Sequence, residues 1–443
     1  MGLELDSERF PANVVDTRIL ADHVTLPFSK LTLPSRFVKA AMTEELSSWD
    51  QARLEKRGIP TDELIRVYEE WGKGGYGMII TGNAMITPVD LQNPGNAIVY
   101  KPFESPERLS AFRRWAEAGK RHGALMIMQI NHCGRQTSDS LNPNPVSASD
   151  VQLERRVGTG FGKPRPLTKG DIDEIVEQFA YSADFAYRAG FDGIQLHCAH
   201  GYLLAQFLSS TTNLRTDEYG GPLENRARII YRIIEEMKRR VPPTFSIAIK
   251  INSVEFQHGG FQPEECRTVC AHLESFGVDF IELSGGTYEE FGFHHKREST
   301  RKREAFFVEF ADIIRPAVKT SKVILTGGFR TGEGMVRTVT SGSTDLIGVA
   351  RPACEEPDFP NLLLSGSIQS ARRTLLPEAE DFLSIIVSGT QIRQIAFGEK
   401  PFNSASSENM EKFKQVLEVH MQKLKEAGEQ GVILAGGYPE MHV

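Results

Sequence analysis

Two histidines and a tyrosine stand close together near the middle of the chain. They are His197, His200 and Tyr202, in the run HCAHGYLLAQFLSSTTNLRTDEYGG. Two imidazoles three residues apart can aim at one point. They can hold one oxygen between two N–H donors, as a developing oxyanion requires. A phenol two residues further on can deliver a proton. Core histidines, or half of a metal site, are the other readings of the pair. Cysteine and carboxylate ligands are not grouped around this segment, so no metal is expected.

These side chains need a frame. Short β-branched runs alternate with amphipathic stretches along the chain. Strands are expected at Arg36–Ala40, Gly77–Thr81, Ala124–Asn131, Gly193–His197, Thr244–Ile251, Phe280–Ser284, Val323–Thr326 and Asp345–Val349. Helices are expected near Thr61–Gly74, Pro106–His122, Asp171–Ala189, Glu224–Arg240, Glu264–Phe276, Glu304–Thr320 and Thr331–Ser341. Thr168 and Asp171 have the spacing of a capping box, and Pro106 and Pro263 suit a first helical turn. Eight strands joined by helices imply parallel pairing through right-handed crossovers. The simplest closure is a single (β/α)8 barrel of the α/β class, with its active site at the C-terminal ends of the strands. A doubly wound open sheet is the alternative; it wants a phosphate-binding glycine turn after its first strand. Gly72, Gly74 and Gly77 imitate that turn but follow a helix and lead into a strand, which suits a helix C-cap. Gly158, Gly160 and Gly162 lie before Pro164 and Pro166, where no helix can start.

The expected organisation is an N-terminal cap over 1–35, the barrel over 36–360 and a helical extension over 361–443. In the extension, Met410, Phe413, Leu417, Met421 and Leu424 recur at helical spacing. That stripe packs on the chain's own barrel or on a second subunit, so a homodimer is one of two readings. Residues 132–170 form a long loop, a kind that often carries function.

Charge and composition narrow the partners. The 443 residues carry a net charge of −7, which disfavours a nucleic-acid partner. No run of about 18 apolar residues is present, so no membrane span is expected. The acidic start MGLELDSERF is not a secretory signal, and EMHV matches neither a prenylation nor a peroxisomal signal. Five scattered cysteines, Cys133, Cys198, Cys266, Cys270 and Cys354, suggest reduced thiols and a cytoplasmic protein.

The strand-four run resembles the signature of the old yellow enzyme family of FMN-dependent ene reductases. Its pattern here is HxxHGYLxxxFLSxxxNxRTDxYGG. RFVKAAMTE, GMIITGNAMITP and MIMQINHCGRQ resemble that family's first three strand segments, in the same order. GGF at Gly327–Phe329 and VARP at Val349–Pro352 resemble its paired phosphate loops. The resemblance runs from about residue 15 to about residue 360.

It implies FMN as cofactor, NADPH or NADH as reductant and a small activated alkene, an enone or enal, as substrate. His197 and His200 would hold the substrate carbonyl oxygen, and Tyr202 would protonate the α-carbon. Gln129 would pair with the flavin pyrimidine edge, using its amide donor and acceptor. Thr43 would donate a hydroxyl near the flavin carbonyl. Ala41, Met42 and Asn83 would contribute mainly backbone contacts. Gly328, Phe329, Ala350 and Arg351 would meet the phosphate, in agreement with the phosphate site common after strands seven and eight of such barrels. Lys250 would supply the cation near flavin N1. Arg is commoner there in the family, and lysine offers the charge without the bidentate fork.

A second departure follows Thr43, where some bacterial relatives carry Cys and then Tyr two residues later. Glu44 and Glu45 follow it here, either lining the pocket or lying in a solvated loop. Lys296, Arg297, Arg301, Lys302 and Arg303 form a basic run that suits either a solvated loop or the 2′-phosphate of NADPH. Rival functions are the same flavin barrel dedicated to one metabolite as a biosynthetic reductase or dehydrogenase, a flavin-free aldolase or isomerase barrel, and a binding protein without turnover.

Overall fold

Eight parallel strands close into a ring in the computed structural model, which describes residues 8–155, 159–286, 308–376 and 381–442. They are β1 Phe37–Lys39, β2 Met78–Ile80, β3 Leu125–Asn131, β4 Gly193–Cys198, β5 Ser246–Asn252, β6 Phe280–Ser284, β7 Lys322–Thr326 and β8 Leu346–Val349. Each pairs with the next, and β8 returns to β1 with Gly348 opposite Val38. All eight lie where the apolar runs place them, with ends that differ by one or two residues.

Alternation along each strand sorts side chains inside and out. Val38, Met78, Ile80, Leu125, Ile127, Ala248, Phe280, Ile324 and Leu346 fill the lower interior. The antiparallel hairpin Val24–Thr25/Thr32–Leu33 closes the bottom, adding Val24, Leu26 and Leu33 to that cluster. Outward residues such as Phe37, Ile79, Met126, Ile194 and Ile249 pack under the helices.

Those helices are α1 Asp62–Lys73, α2 Pro106–Lys120, α3 Lys169–Arg188, α4 Leu203–Leu208, α5 Leu223–Arg240, α6 Pro263–Ser275, α7 Val308–Ile314, α8 Gly332–Thr340, α9 Arg351–Glu355 and α10 Phe359–Leu364. Local chemistry starts them. Thr168 and Asp171 form the reciprocal capping box on α3, and Ser105 accepts from the Arg108 N–H ahead of Pro106 on α2. Gly74 is the C-cap of α1, and Gly75 turns the chain at φ +88° toward β2. The start of the helix expected over Glu304–Thr320, and the whole basic run from Lys296 to Arg303, lie outside the described residues.

The extension contributes α11 Asp381–Ala396 and α12 Ser407–Glu429. Met410 and Phe413 on α12 bury themselves against Ile386, Val387, Phe402, Tyr438 and Met441. The first half of the α12 stripe therefore packs within its own chain, while Met421 stays 52% exposed. After α12 the chain turns back over the top of the barrel, a strap with no counterpart among the expected elements. Trp49 donates its indole N–H to the Ile433 carbonyl at 3.0 Å, and Gln51 exchanges two hydrogen bonds with Gly431 and Ile433. No helix among the described residues is long and apolar enough to cross a membrane.

Candidate active site

The polar residues of the strands gather at the C-terminal mouth of the ring. His197 stands one residue before the end of β4, facing inward, directly beside Lys250 in the β4–β5 register. The His200 backbone turns left-handed at φ +59°, and its N–H donates to Asn252 Oδ1 at 3.1 Å. The two imidazole centroids are then 5.1 Å apart, and the Tyr202 ring stands edge-on to His197 at 4.7 Å. His197 Nδ1 accepts from the Ala199 N–H, which leaves Nε2 as its donor. His200 does not present its Nε2 freely beside it, because that atom lies 2.8 Å from Ser284 Oγ. The expected pair of converging donors is thus one free donor and one shared with a serine.

Their surroundings favour the neutral form of both imidazoles. Burial holds His197 well below the ordinary range, with His200 and Lys250 adding to the effect. Burial, then Lys250, lowers His200 to about 3. They can donate hydrogen bonds but cannot carry charge near neutral pH.

His197, His200 and Tyr202 line a cavity of about 1220 Å3. The same cavity is lined by Ala41, Met42, Thr43, Asn83, Gln129 and Lys250, and at its other end by Gly328, Phe329, Ala350 and Arg351. Every site residue expected from sequence therefore meets in one place. Gly327 and Gly328 both take positive φ (129° and 80°), the conformation that brings a backbone turn close to a ligand.

Below the mouth, four inward side chains form a continuous polar chain. Gln129 Nε2 donates to Gln195 Oε1 at 2.7 Å, and Gln195 Nε2 donates to Glu282 Oε2 at 2.8 Å. Glu282 Oε1 pairs with Lys250 Nζ at 3.0 Å. Thr43 spends its hydroxyl proton on Gln92 Oε1 at 2.7 Å, and the Asn83 amide donates to the same oxygen. Arg351 is held by Ser384 Oγ of α11 at 3.0 Å.

Neither acid after Thr43 is solvated. Glu44 accepts from the Tyr68 hydroxyl and the Gly82 N–H, and Glu45 accepts from Asn93 and from the Gly437 N–H of the strap. Burial pushes Glu45 up to about 7. Among the described residues no cluster of His, Cys, Asp or Glu could hold a metal ion, and all five cysteines are free and buried.

Residues 26–368 match the model of the NADH:flavin oxidoreductase / NADH oxidase family. The chain belongs to that family, the old yellow enzyme family. The NADH-dependent flavin oxidoreductase nadA of Aspergillus parasiticus is 41% identical over 398 residues, covering 89% of each chain. The NADH-dependent flavin oxidoreductase iccE of Talaromyces variabilis is 38% identical, covering 78% of this chain and 86% of that one. A cinnamate reductase of Clostridium sporogenes is 27% identical over 81% of this chain, which spans 54% of that protein. In fold, the chain is similar to the old yellow enzyme homologue from Zymomonas mobilis, with a TM-score of 0.67, 21% identity, and coverage of 87% and 98%. This old yellow enzyme family member is an NAD(P)H-dependent FMN oxidoreductase.

The lining fits FMN. One end offers an amide, a hydroxyl and a cation, the groups a pyrimidine edge can use; the other offers glycine-turn backbone and a guanidinium, which suit a phosphate. Two lining atoms, Asn83 Oδ1 and Thr326 Oγ1, are buried without a partner, as atoms that serve a ligand would be. Sequence reasoning missed Gln92, Gln195, Glu282, Ser284 and the strap. Gln195 and Glu282 had a signal: each sits at an inward position of its strand, Gln195 two residues before His197.

Proposed function

We propose that this oxidoreductase reduces activated carbon–carbon double bonds of enones and enals, with NADH or NADPH as reductant. The observation that carries the reading is the meeting of two imidazoles and a phenol over the cavity that Gln129, Lys250 and Arg351 also line. His197 and His200 hold the substrate carbonyl oxygen and polarise the double bond, while Tyr202 gives its proton to the α-carbon. His200 leaves Ser284 to do so, or donates from Nδ1. FMN, when bound, supplies the redox chemistry.

For the cofactor, Gln129 takes the pyrimidine edge and Lys250 the N1 side. Ala41, Met42 and Asn83 flank the ring, and Thr43 tunes it with its oxygen, since Gln92 takes its proton. Gly328, Phe329, Ala350 and Arg351 take the phosphate. The names of the fungal relatives favour NADH, and that of the cinnamate reductase favours an activated alkene. We read 1–35 as cap, 36–360 as barrel and 361–443 as extension, and place the protein in the cytoplasm on its five free thiols.

Replacing both histidines by alanine tests the assignment. The variant retains FMN and loses enone binding, read by titration of the visible spectrum with 2-cyclohexenone. Turnover of 2-cyclohexenone at the unaltered rate would sink it.

A further inference from the structure

Beneath the cavity, behind its lining residues Lys250 and Gln129, lies a charge that the proposed reaction does not use. Glu282 is fully buried and faces the barrel interior. Its two oxygens divide the polar chain: Oε1 lies 3.0 Å from Lys250 Nζ, and Oε2 accepts from Gln195 at 2.8 Å. Gln195 passes the chain on to Gln129 at 2.7 Å. The ladders fix these neighbours, since Lys250 stands opposite Glu282 and Gln195 opposite Gln129.

A carboxylate without exposure persists only beside a cation. Lys250 supplies that cation here, so its charge is shared between Glu282 and whatever lies above it. An ammonium has three donors on one atom and can serve both neighbours at once. A cation close to the pyrimidine ring favours FMN reduction, which adds negative charge there. A carboxylate behind that cation opposes it.

We infer that Glu282 is a positioning residue that lowers the reduction potential of bound FMN, by compensating Lys250 and by tying it through Gln195 to Gln129. This rests on the placement of Lys250 and Gln129 at the FMN ring proposed above. The sequence departure at Lys250 then has a partner. The lysine and the glutamate act as one unit, and neither sets the potential alone.

The test is the two-electron midpoint potential of FMN-loaded protein, together with the affinity of apoprotein for oxidised FMN. Glu282→Gln removes the charge and keeps one acceptor for Gln195, while its amide nitrogen replaces the oxygen that faced Lys250. The potential rises, corresponding to at least a tenfold gain in the ratio of reduced to oxidised FMN affinity, about 30 mV. Lys250→Met shifts the potential the other way. The double variant lies above Lys250→Met and near the unaltered protein. That comparison stands even where Glu282→Gln alone fails to fold, because it removes both charges together. A fall with Lys250→Met, but no rise on adding Glu282→Gln in either background, overturns the inference and keeps the placement. No change with Lys250→Met overturns the placement, and the inference falls with it.

Discussion

At the scale of single residues, the site depends on keeping two histidines neutral. Their folded values lie far below the unfolded value of about 6.5, because burial and the Lys250 charge both oppose protonation. The sign follows directly. The unfolded chain binds protons below pH 6.5 that the native state refuses, so stability falls as pH drops from there toward the folded value of about 3 for His200. Between pH 7.5 and 5.5 the buried His197 and the half-buried His200 should each cost about 1.4 kcal/mol of stability. Urea unfolding of His200→Asn should show that much less pH dependence than the unaltered chain; identical curves would mean that His200 titrates freely. The residues themselves were legible, since His197, His200 and Tyr202 stand in one short run. Their states were not. Neutrality comes from burial and from Lys250 on the adjacent strand, and the Ser284 contact comes from β6, 84 residues away in sequence.

At the scale of elements, every barrel strand could be read from its apolar run, because a strand buried on both faces has a distinctive composition. The strap could not. Residues 430–442 contain glycine, proline and scattered apolar side chains without a period, and contacts with the loop after β1, with α11 and with α12 order them. Yet Val432, Leu434 and Tyr438 of the strap line the cavity that His197, His200 and Tyr202 also line. Gly389 on α11 makes that possible, since a Cβ there would stand 2.3 Å from the Tyr438 ring. Gly389→Ala should therefore push Tyr438 off α11 and loosen the strap. Trp49 reports it, because its indole N–H loses the Ile433 carbonyl, and its fluorescence should change. KM for a bulky apolar enone should rise several-fold while that for 2-cyclohexenone stays within about twofold. Equal effects on both substrates would show that the strap is packing alone and sets no specificity.

At the scale of the whole molecule, the N-terminal segment is tied to the chain just after α10, near the residues proposed to take the phosphate. Residues 8–10 run antiparallel to 370–373, with Phe10 N–H on the Ala371 carbonyl and Arg373 N–H on the Glu8 carbonyl. Arg9 grips both oxygens of Glu356 and also the Ser370 carbonyl. The pair is mostly out of water, at 13% and 9% side-chain exposure. Arg372 lies further from the same carboxylate, at 3.8 Å. Among the described residues, removing Arg9 leaves Glu356 with that weaker partner. A mostly buried pair broken on one side costs about 3 kcal/mol, whereas replacing both members by apolar side chains is often near neutral. Arg9→Met should therefore destabilise the protein by about 2–3 kcal/mol in urea unfolding, and Arg9→Met/Glu356→Leu should recover most of that loss. Glu356 follows directly on α9, the helix that begins at Arg351, so the single variant should also weaken FMN binding and the double variant restore it. A single variant as stable as the unaltered chain would mean that Arg372 alone satisfies Glu356, and that the N-terminal segment lies on the barrel without bracing it.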